Sequence, residues 1–346
     1  MKTLEVKAES KSSYIHIGEG IQNLSKYIND RKSIILTDSN IIRLYKNDFP
    51  KNIPVIEIGL GEKNKTLNTI NYIMAQLVKY EADRTTLLVA IGGGIVSDVG
   101  GFAASVYMRG IPFGFVSTTL LSQVDASVGG KNGVNHEGYK NMIGVFNQPE
   151  FVICDTSMLS TLDEEEFRSG FAEIIKAGAI KDVSLFNYCS EYSQTALDLN
   201  PDAITHMVYE SVKIKANIVE ADEREKGERR LLNFGHTFAH ALEKMTGILH
   251  GKAVSIGMVL AAKVSNKLGI IDAEDAELIT TVLNQYGLPV KSEIPEDQLF
   301  SAMKQDKKRT GDSIHLVLLE KIGHAVTREI TYNELQKIIN DLRCDI

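Results

Sequence analysis

Residues 87–98 read Leu87-Leu-Val-Ala-Ile-Gly-Gly-Gly-Ile-Val-Ser-Asp98. Five apolar residues without interruption, followed at once by a glycine triplet, describe a strand buried on both faces that turns sharply into a helix. Glycines let the backbone approach a bound group, and the helix start behind them offers free N–H donors and the positive end of the helix dipole, which suits a pyrophosphate. Gly93 and Gly94 are therefore candidate nucleotide contacts. The run is not GxGxxG, and a plain strand-to-helix turn would use the same glycines.

Working outward, the same grammar recurs. Ser33-Ile-Ile-Leu-Thr-Asp38, Val55-Ile-Glu-Ile-Gly59, Phe113-Gly-Phe-Val-Ser117 and Phe151-Val-Ile-Cys-Asp155 read as further buried strands, and Thr66 to Tyr80 and Ile95 to Tyr107 as helices between them. Alternation of this kind predicts an α/β domain, Rossmann-like, with a parallel sheet and ligands at the C-terminal strand ends. Asp38 ends one such strand, placed to accept from a ribose or to cap a helix. After Asp155 the pattern changes. Asp163 with Glu166 resembles a capping box opening a helix through Phe167, Phe171, Ile174, Ile175 and Gly178, and no proline interrupts helical periodicity between Pro201 and Pro289. Residues 1–160 are expected to form the Rossmann-like domain and 161–346 an all-α, or mostly helical, second domain.

Composition bounds the function. The 346 residues are 43% hydrophobic and 24% charged, which fits a two-domain globular chain and excludes disorder and coiled coil. A net charge of −7 shows no basic footprint for nucleic acid. Thr86 to Val106 contains five glycines and Asp98, so it cannot be the run of about 20 apolar residues that spans a bilayer. Met1 to Lys11 has neither a signal-peptide core nor a transit pattern, and Cys154, Cys189 and Cys344 form no CxxC pair. A cytoplasmic protein without disulfides, membrane or nucleic-acid partner is expected.

Three groupings carry chemistry. His236-Thr-Phe-Ala-His240 puts two imidazoles four residues apart on one helix face, with His250-Gly251 beyond a further turn. Three imidazoles, or two and a carboxylate, would make a zinc site with an open position, whereas an isolated pair would be ordinary core or surface histidines. Glu173 and Lys176, at i and i+3, lie in a strongly apolar stretch where charges are rare unless paired or metal-bound. Arg109, Lys131 and Lys140 adjoin glycines on expected flexible turns, and Lys215, Arg229 and the Asp306-Lys-Lys308 run add further positive charge suited to anions or merely to solvent.

Taken in order, Gly92-Gly-Gly-Ile-Val-Ser-Asp98, Tyr107-Met-Arg-Gly110, Thr118-Thr-Leu-Leu121, Asp125-Ala-Ser-Val-Gly-Gly-Lys131, Gly138-Tyr-Lys-Asn141, Ala172-Glu-Ile-Ile-Lys176, Asn233-Phe-Gly-His-Thr-Phe-Ala-His240, His250-Gly251 and Asp306-Lys-Lys308 resemble the 3-dehydroquinate synthase family of sugar-phosphate cyclases. The resemblance extends over nearly the full chain. It implies an NAD-binding N-terminal domain, a helical metal- and substrate-binding domain, and an active site in the cleft between them. The implied reaction is conversion of 3-deoxy-D-arabino-heptulosonate 7-phosphate to 3-dehydroquinate and phosphate in the shikimate pathway. It proceeds by transient oxidation at C5, phosphate elimination, re-reduction, ring opening and an intramolecular aldol step.

By the same likeness Glu173, His236 and His250 would hold zinc, or cobalt or another divalent ion, with His240 beside them as a proton-handling group. Asp38, Glu62, Lys65, Gly93, Gly94, Asp98, Thr118, Thr119, Lys131 and Lys140 would contact NAD. Lys131, Asn141, Arg229 and Lys307 or Lys308 would hold the substrate's phosphate and carboxylate, and Asp125, Lys176, Lys215 and Asn233 would orient it. Arg109 would reach the site of the partner subunit in a homodimer. Asn132, Lys252 and Ala239 depart from common family residues at peripheral positions. Competing expectations are a different sugar-phosphate cyclase, a metal-dependent polyol dehydrogenase of the glycerol dehydrogenase type, and a non-catalytic dinucleotide-binding regulator.

Overall fold

The buried apolar runs of the first half pair into one seven-stranded sheet. The computed structural model describes all residues except 10, 307–311 and 345–346. Its strands are β1 (Lys2–Lys7), β2 (Ser12–Ile17), β3 (Ser33–Asp38), β4 (Val55–Ile58), β5 (Leu87–Gly92), β6 (Phe113–Ser117), β7 (Lys131–His136), β8 (Tyr139–Phe146), β9 (Phe151–Cys154), β10 (Ser313–Lys321) and β11 (His324–Thr331). The large sheet runs β1-β2-β9-β6-β5-β3-β4, parallel throughout except for the antiparallel β1–β2 edge. Ile35 lies opposite Val55 on one side and Val89 on the other. Side chains from β3, β5, β6 and β9 form one core with Leu24, Ile28 and Met158, which explains why β5 reads as continuously apolar.

The helices are α1 (Ser25–Ile28), α2 (Ser39–Tyr45), α3 (Leu67–Lys79), α4 (Gly94–Val106), α5 (Glu164–Lys181), α6 (Val183–Glu191), α7 (Ser193–Leu197), α8 (Pro201–Ala221), α9 (His236–Thr246), α10 (His250–Lys267), α11 (Ala273–Gln285), α12 (Glu296–Asp306) and α13 (Tyr332–Cys344). Their starts are written locally. Asp38, Thr66, Asp163 and Asp272 each cap a helix by accepting from a backbone N–H in its first turn.

Two expectations need correction. The second half is not wholly helical: β10 and β11 form an antiparallel hairpin reversed at Gly323 (φ 85°), with Leu319 N–H donating to Ser265 Oγ of α10 at 3.1 Å. Ile314, Leu316, Val317, Leu318 and Leu319 are buried, and that apolar run is strand-forming rather than helical. Lys131 and Lys140 do not sit on flexible turns, because Lys131 opens β7 and Lys140 lies in β8, paired antiparallel with it.

The chain divides into two compact units, Met1–Leu162 with Ile204–Arg224, and Asp163–Ala203 with Glu225–Ile346. The first compact unit therefore takes in most of α8, beyond residue 160. The reason lies in its partners within the first unit: Lys215 pairs with Asp125, Glu220 accepts from Lys7 N–H at 2.6 Å, and just beyond the helix Glu223 accepts from Gln148 Nε2 at 3.0 Å.

Candidate active site

In the helical unit, α5 carries Glu173 and Lys176 on one face, each side chain only 3% exposed, and the two form an ion pair through Glu173 Oε2. Gly235, in the left-handed region at φ 78°, lets the chain reverse so that His236 opens α9. His250 opens α10. His236 Nε2 lies 3.7 Å and His250 Nε2 3.4 Å from the same oxygen, Glu173 Oε1. One ligand atom from each of the three side chains lies within 4.8 Å of the others.

Close helix approach brings them together. A Cβ on Gly251 would fall on the Ser169 carbonyl of α5, and one on Gly257 would fall on the Gly235 carbonyl, so α10 presses backbone to backbone against both neighbours. Gly251 N–H also donates to Ser169 Oγ at 3.0 Å.

Each imidazole is oriented through its other nitrogen. His236 Nδ1 lies 3.2 Å from the Phe234 carbonyl, which can only accept, so Nδ1 carries the hydrogen and Nε2 presents a lone pair. His250 Nδ1 donates to Glu243 Oε1 at 2.8 Å. A carboxylate and two such imidazoles are the donor set of a catalytic zinc site, and acceptors behind metal-binding histidines are the usual means of holding them. The residues therefore fit a divalent cation. The electrostatics agree. Burial, with the Lys176 ammonium, pushes His236 down to about 3, keeping it neutral. Burial lowers His250 as well, but Glu173 and Glu243 outweigh it and lift the group to about 10.

His240 does not join this trio. It is exposed, its ring edge-on to that of His236 with centroids 5.6 Å apart. Arg229 is buried at 2% exposure in the turn before α9, and Asn233 Nδ2 donates to Glu225 Oε1 at 2.6 Å.

In the α/β unit, Gly93 caps α4 and Gly94 is its first residue, directly after β5. One turn later Asp98 pairs with Lys65, which is 5% exposed. Burial drives Asp98 up to about 6, against the lowering effect of Lys65. Thr118 N–H donates to the Gly92 carbonyl at 3.1 Å, and Thr119 Oγ1 donates to Ser122 Oγ at 3.0 Å. Asp38 caps α2 through Ile41 N–H at 3.0 Å, and its burial raises its pKa. Glu62 is exposed and accepts from Asn135 Nδ2 at 2.7 Å. Asn135 also accepts from Asn141 N–H at 2.8 Å, tying Asn141 (φ 53°) into the hairpin beside exposed Lys140. Asp125 sits in a π-helical turn, Ser122–Ala126, and its side chain meets Lys215 Nζ, which also donates to the Asp125 carbonyl at 2.6 Å. Arg109 follows α4 at φ 68°. Lys307 and Lys308 lie outside the described residues.

Two residues escape sequence reading. Glu243 was signalled only by its i+7 spacing from His236, and Glu225 by nothing short of its contact with Asn233.

A parallel α/β unit with a glycine turn and a helical unit with a candidate carboxylate–imidazole cation site are the architecture that sugar-phosphate cyclases of known structure share with this chain. The chain is similar to a crystal structure of 2-deoxy-scyllo-inosose synthase complexed with carbaglucose-6-phosphate, NAD+ and Co2+, at 26% identity and TM-score 0.85 over 98% of this chain and 100% of that one. The 2-epi-5-epi-valiolone synthase of Streptomyces hygroscopicus subsp. jinggangensis shares the fold at 24% identity and TM-score 0.87, each chain covered in full. Family models match more specifically, 3-dehydroquinate synthase N-terminal over residues 55–169 and 3-dehydroquinate synthase C-terminal over residues 170–309. The 3-dehydroquinate synthase of Halorhodospira halophila is 40% identical over 94% of this chain and 95% of its own. The chain belongs to the 3-dehydroquinate synthase family.

Proposed function

We infer that the chain is a carbon–oxygen lyase of the shikimate pathway, releasing phosphate from 3-deoxy-D-arabino-heptulosonate 7-phosphate to form 3-dehydroquinate. The observation that carries this reading is the convergence of Glu173, His236 and His250, in a chain whose relatives of that name match it end to end. NAD and zinc or cobalt are the cofactors the sites fit. When bound, they supply a reversible hydride acceptor and a Lewis acid for the substrate hydroxyls.

The chain's own residues have a positioning task. Glu173, His236 and His250 would hold the cation, and Lys176, fixed on Glu173, holds a positive charge next to it. Lys131, Asn141, Arg229 and Lys307 or Lys308 would grip the phosphate and carboxylate of a polyanionic substrate, and Asp125, Lys176, Lys215 and Asn233 would orient it, with His240 beside the cation as a polar or proton-handling group. Holding a flexible polyanion in one conformation lowers the barrier without demanding strong acid–base groups. The glycine turn, Asp98, Lys65, Thr118, Thr119, Asp38, Glu62 and Lys140 would hold the nucleotide. The same reading makes the protein a cytoplasmic homodimer in which Arg109 serves the partner's site. No helix among the described residues is long and apolar enough to cross a membrane.

The test is phosphate release by the purified chain supplied with NAD+. Release from the heptulosonate is expected, lost with a chelator and restored by zinc or cobalt, with no net absorbance change at the nicotinamide band. Release from glucose 6-phosphate instead would make it another cyclase, and sustained NADH accumulation would make it a polyol dehydrogenase.

A further inference from the structure

We infer that Glu243 is the positioning residue of the cation site, holding the His250 imidazole by its Nδ1 so that Nε2 faces Glu173. The inference deepens the metal reading above and rests on it. Glu243 lies on α9 two turns beyond His236, so one helix face supplies both a ligand and the group that orients the next ligand. Its side chain is 4% exposed and its Oε1 lies 2.8 Å from His250 Nδ1. His250 needs such a fixture more than His236 does. Helix α9 ends at Gly247 (φ 69°), and three residues later His250 is the first residue of α10, its side chain 29% exposed. His236, 12% exposed, is held by a neutral carbonyl instead.

The carboxylate also answers a charge problem. Lys176 occupies the second oxygen of Glu173 and offsets the negative charge of that ligand. Glu243 returns a negative charge at one imidazole's remove, favouring a dication over an empty site. Replacing an acceptor behind a metal-binding histidine typically weakens metal binding roughly 10- to 100-fold.

The test measures zinc affinity on the full chain, stripped of metal and titrated against a chromophoric chelator, alongside thermal unfolding of the metal-free proteins. Glu243→Ala is expected to bind zinc roughly 10- to 100-fold more weakly than the unsubstituted chain. Glu243→Gln, which keeps an acceptor and loses the charge, is expected to fall between the two. Should Glu243→Ala fail to fold, Glu243→Gln decides alone: weakened zinc binding supports the inference, and unsubstituted affinity overturns it. Lower metal-free stability with unchanged zinc affinity would reduce Glu243 to a packing role and equally overturn it. If the unsubstituted chain takes up no more zinc than His250→Ala, the cation site itself fails, a result distinct from either.

Discussion

Lys65 and Asp98 show what one residue's surroundings can do to its chemistry. Their side chains are 7% and 18% exposed, and removing one member of a buried pair strands the other. Asp98→Asn keeps the side chain's shape and removes its ionisation, so the pH profile of denaturant unfolding isolates what that ionisation does to stability. The pH dependence has a definite sign. Well below pH 4 Asp98 is protonated whether the chain is folded or not. As pH rises toward 6 the folded chain keeps a proton that the unfolded chain releases, since burial lifts the folded group to about 6. Stability from this residue therefore falls across that window, by at most about 3 kcal/mol, and stays reduced above it. Asp98→Asn should flatten that part of the profile; an unchanged slope would mean that the proton resides elsewhere. Legibility at this scale follows chain distance. Glu173 and Lys176 stood out in the sequence because charges three residues apart in an apolar helix must find partners within it. The Asp125–Lys215 pair did not, because its members are 90 residues apart and only α8's return to the first unit joins them.

Among elements, the central parallel strands were readable for the reason they are stable: both faces are covered, so β3, β5, β6 and β9 carry apolar residues without alternation. The β7–β8 hairpin lacked that signal. Most of β8 is exposed, with Tyr139, Met142 and Phe146 among its exposed side chains, so no burial pattern marks it. The candidate cation site was legible as residue types and spacing but not as an approach of helices, which depends on two glycines that a sequence shows without saying what they face. Gly251→Ala tests that approach. Its methyl group would meet backbone of α5 rather than the yielding end of a side chain, and overpacking of this kind costs about 1–3 kcal/mol. Metal-free unfolding should show that loss, and zinc affinity should fall with it as His250 moves from Glu173. Full zinc affinity in a destabilised Gly251→Ala protein would show that the trio tolerates a displaced α10.

At the scale of the whole molecule, the candidate metal residues belong to one compact unit and the candidate nucleotide residues to the other: Glu173, His236 and His250 fall in Asp163–Ala203 with Glu225–Ile346, and Gly93, Asp98 and Thr118 in Met1–Leu162. The division follows from what each chemistry requires. A pyrophosphate is met by backbone at a strand-to-helix turn, which a parallel sheet supplies at its strand ends. A cation is met by side chains, which adjacent helices can aim at one point. The two ligands should consequently leave separate footprints in amide hydrogen exchange. A ligand stabilises what it binds by an amount that grows with the logarithm of its concentration over its dissociation constant, about 2.7 kcal/mol at a hundredfold excess, and exchange by local opening reports that gain segment by segment. Zinc added alone is expected to slow exchange in α5 around Glu173 and in the first turns of α9 and α10, and His250→Ala should abolish the effect. NAD+ added alone should slow exchange at the end of β5, the start of α4 and Thr118–Thr119, in that variant as in the unsubstituted chain. Zinc protection that survives His250→Ala would place the ion on other ligands, and NAD+ protection absent from the β5–α4 turn would remove the nucleotide from the glycines.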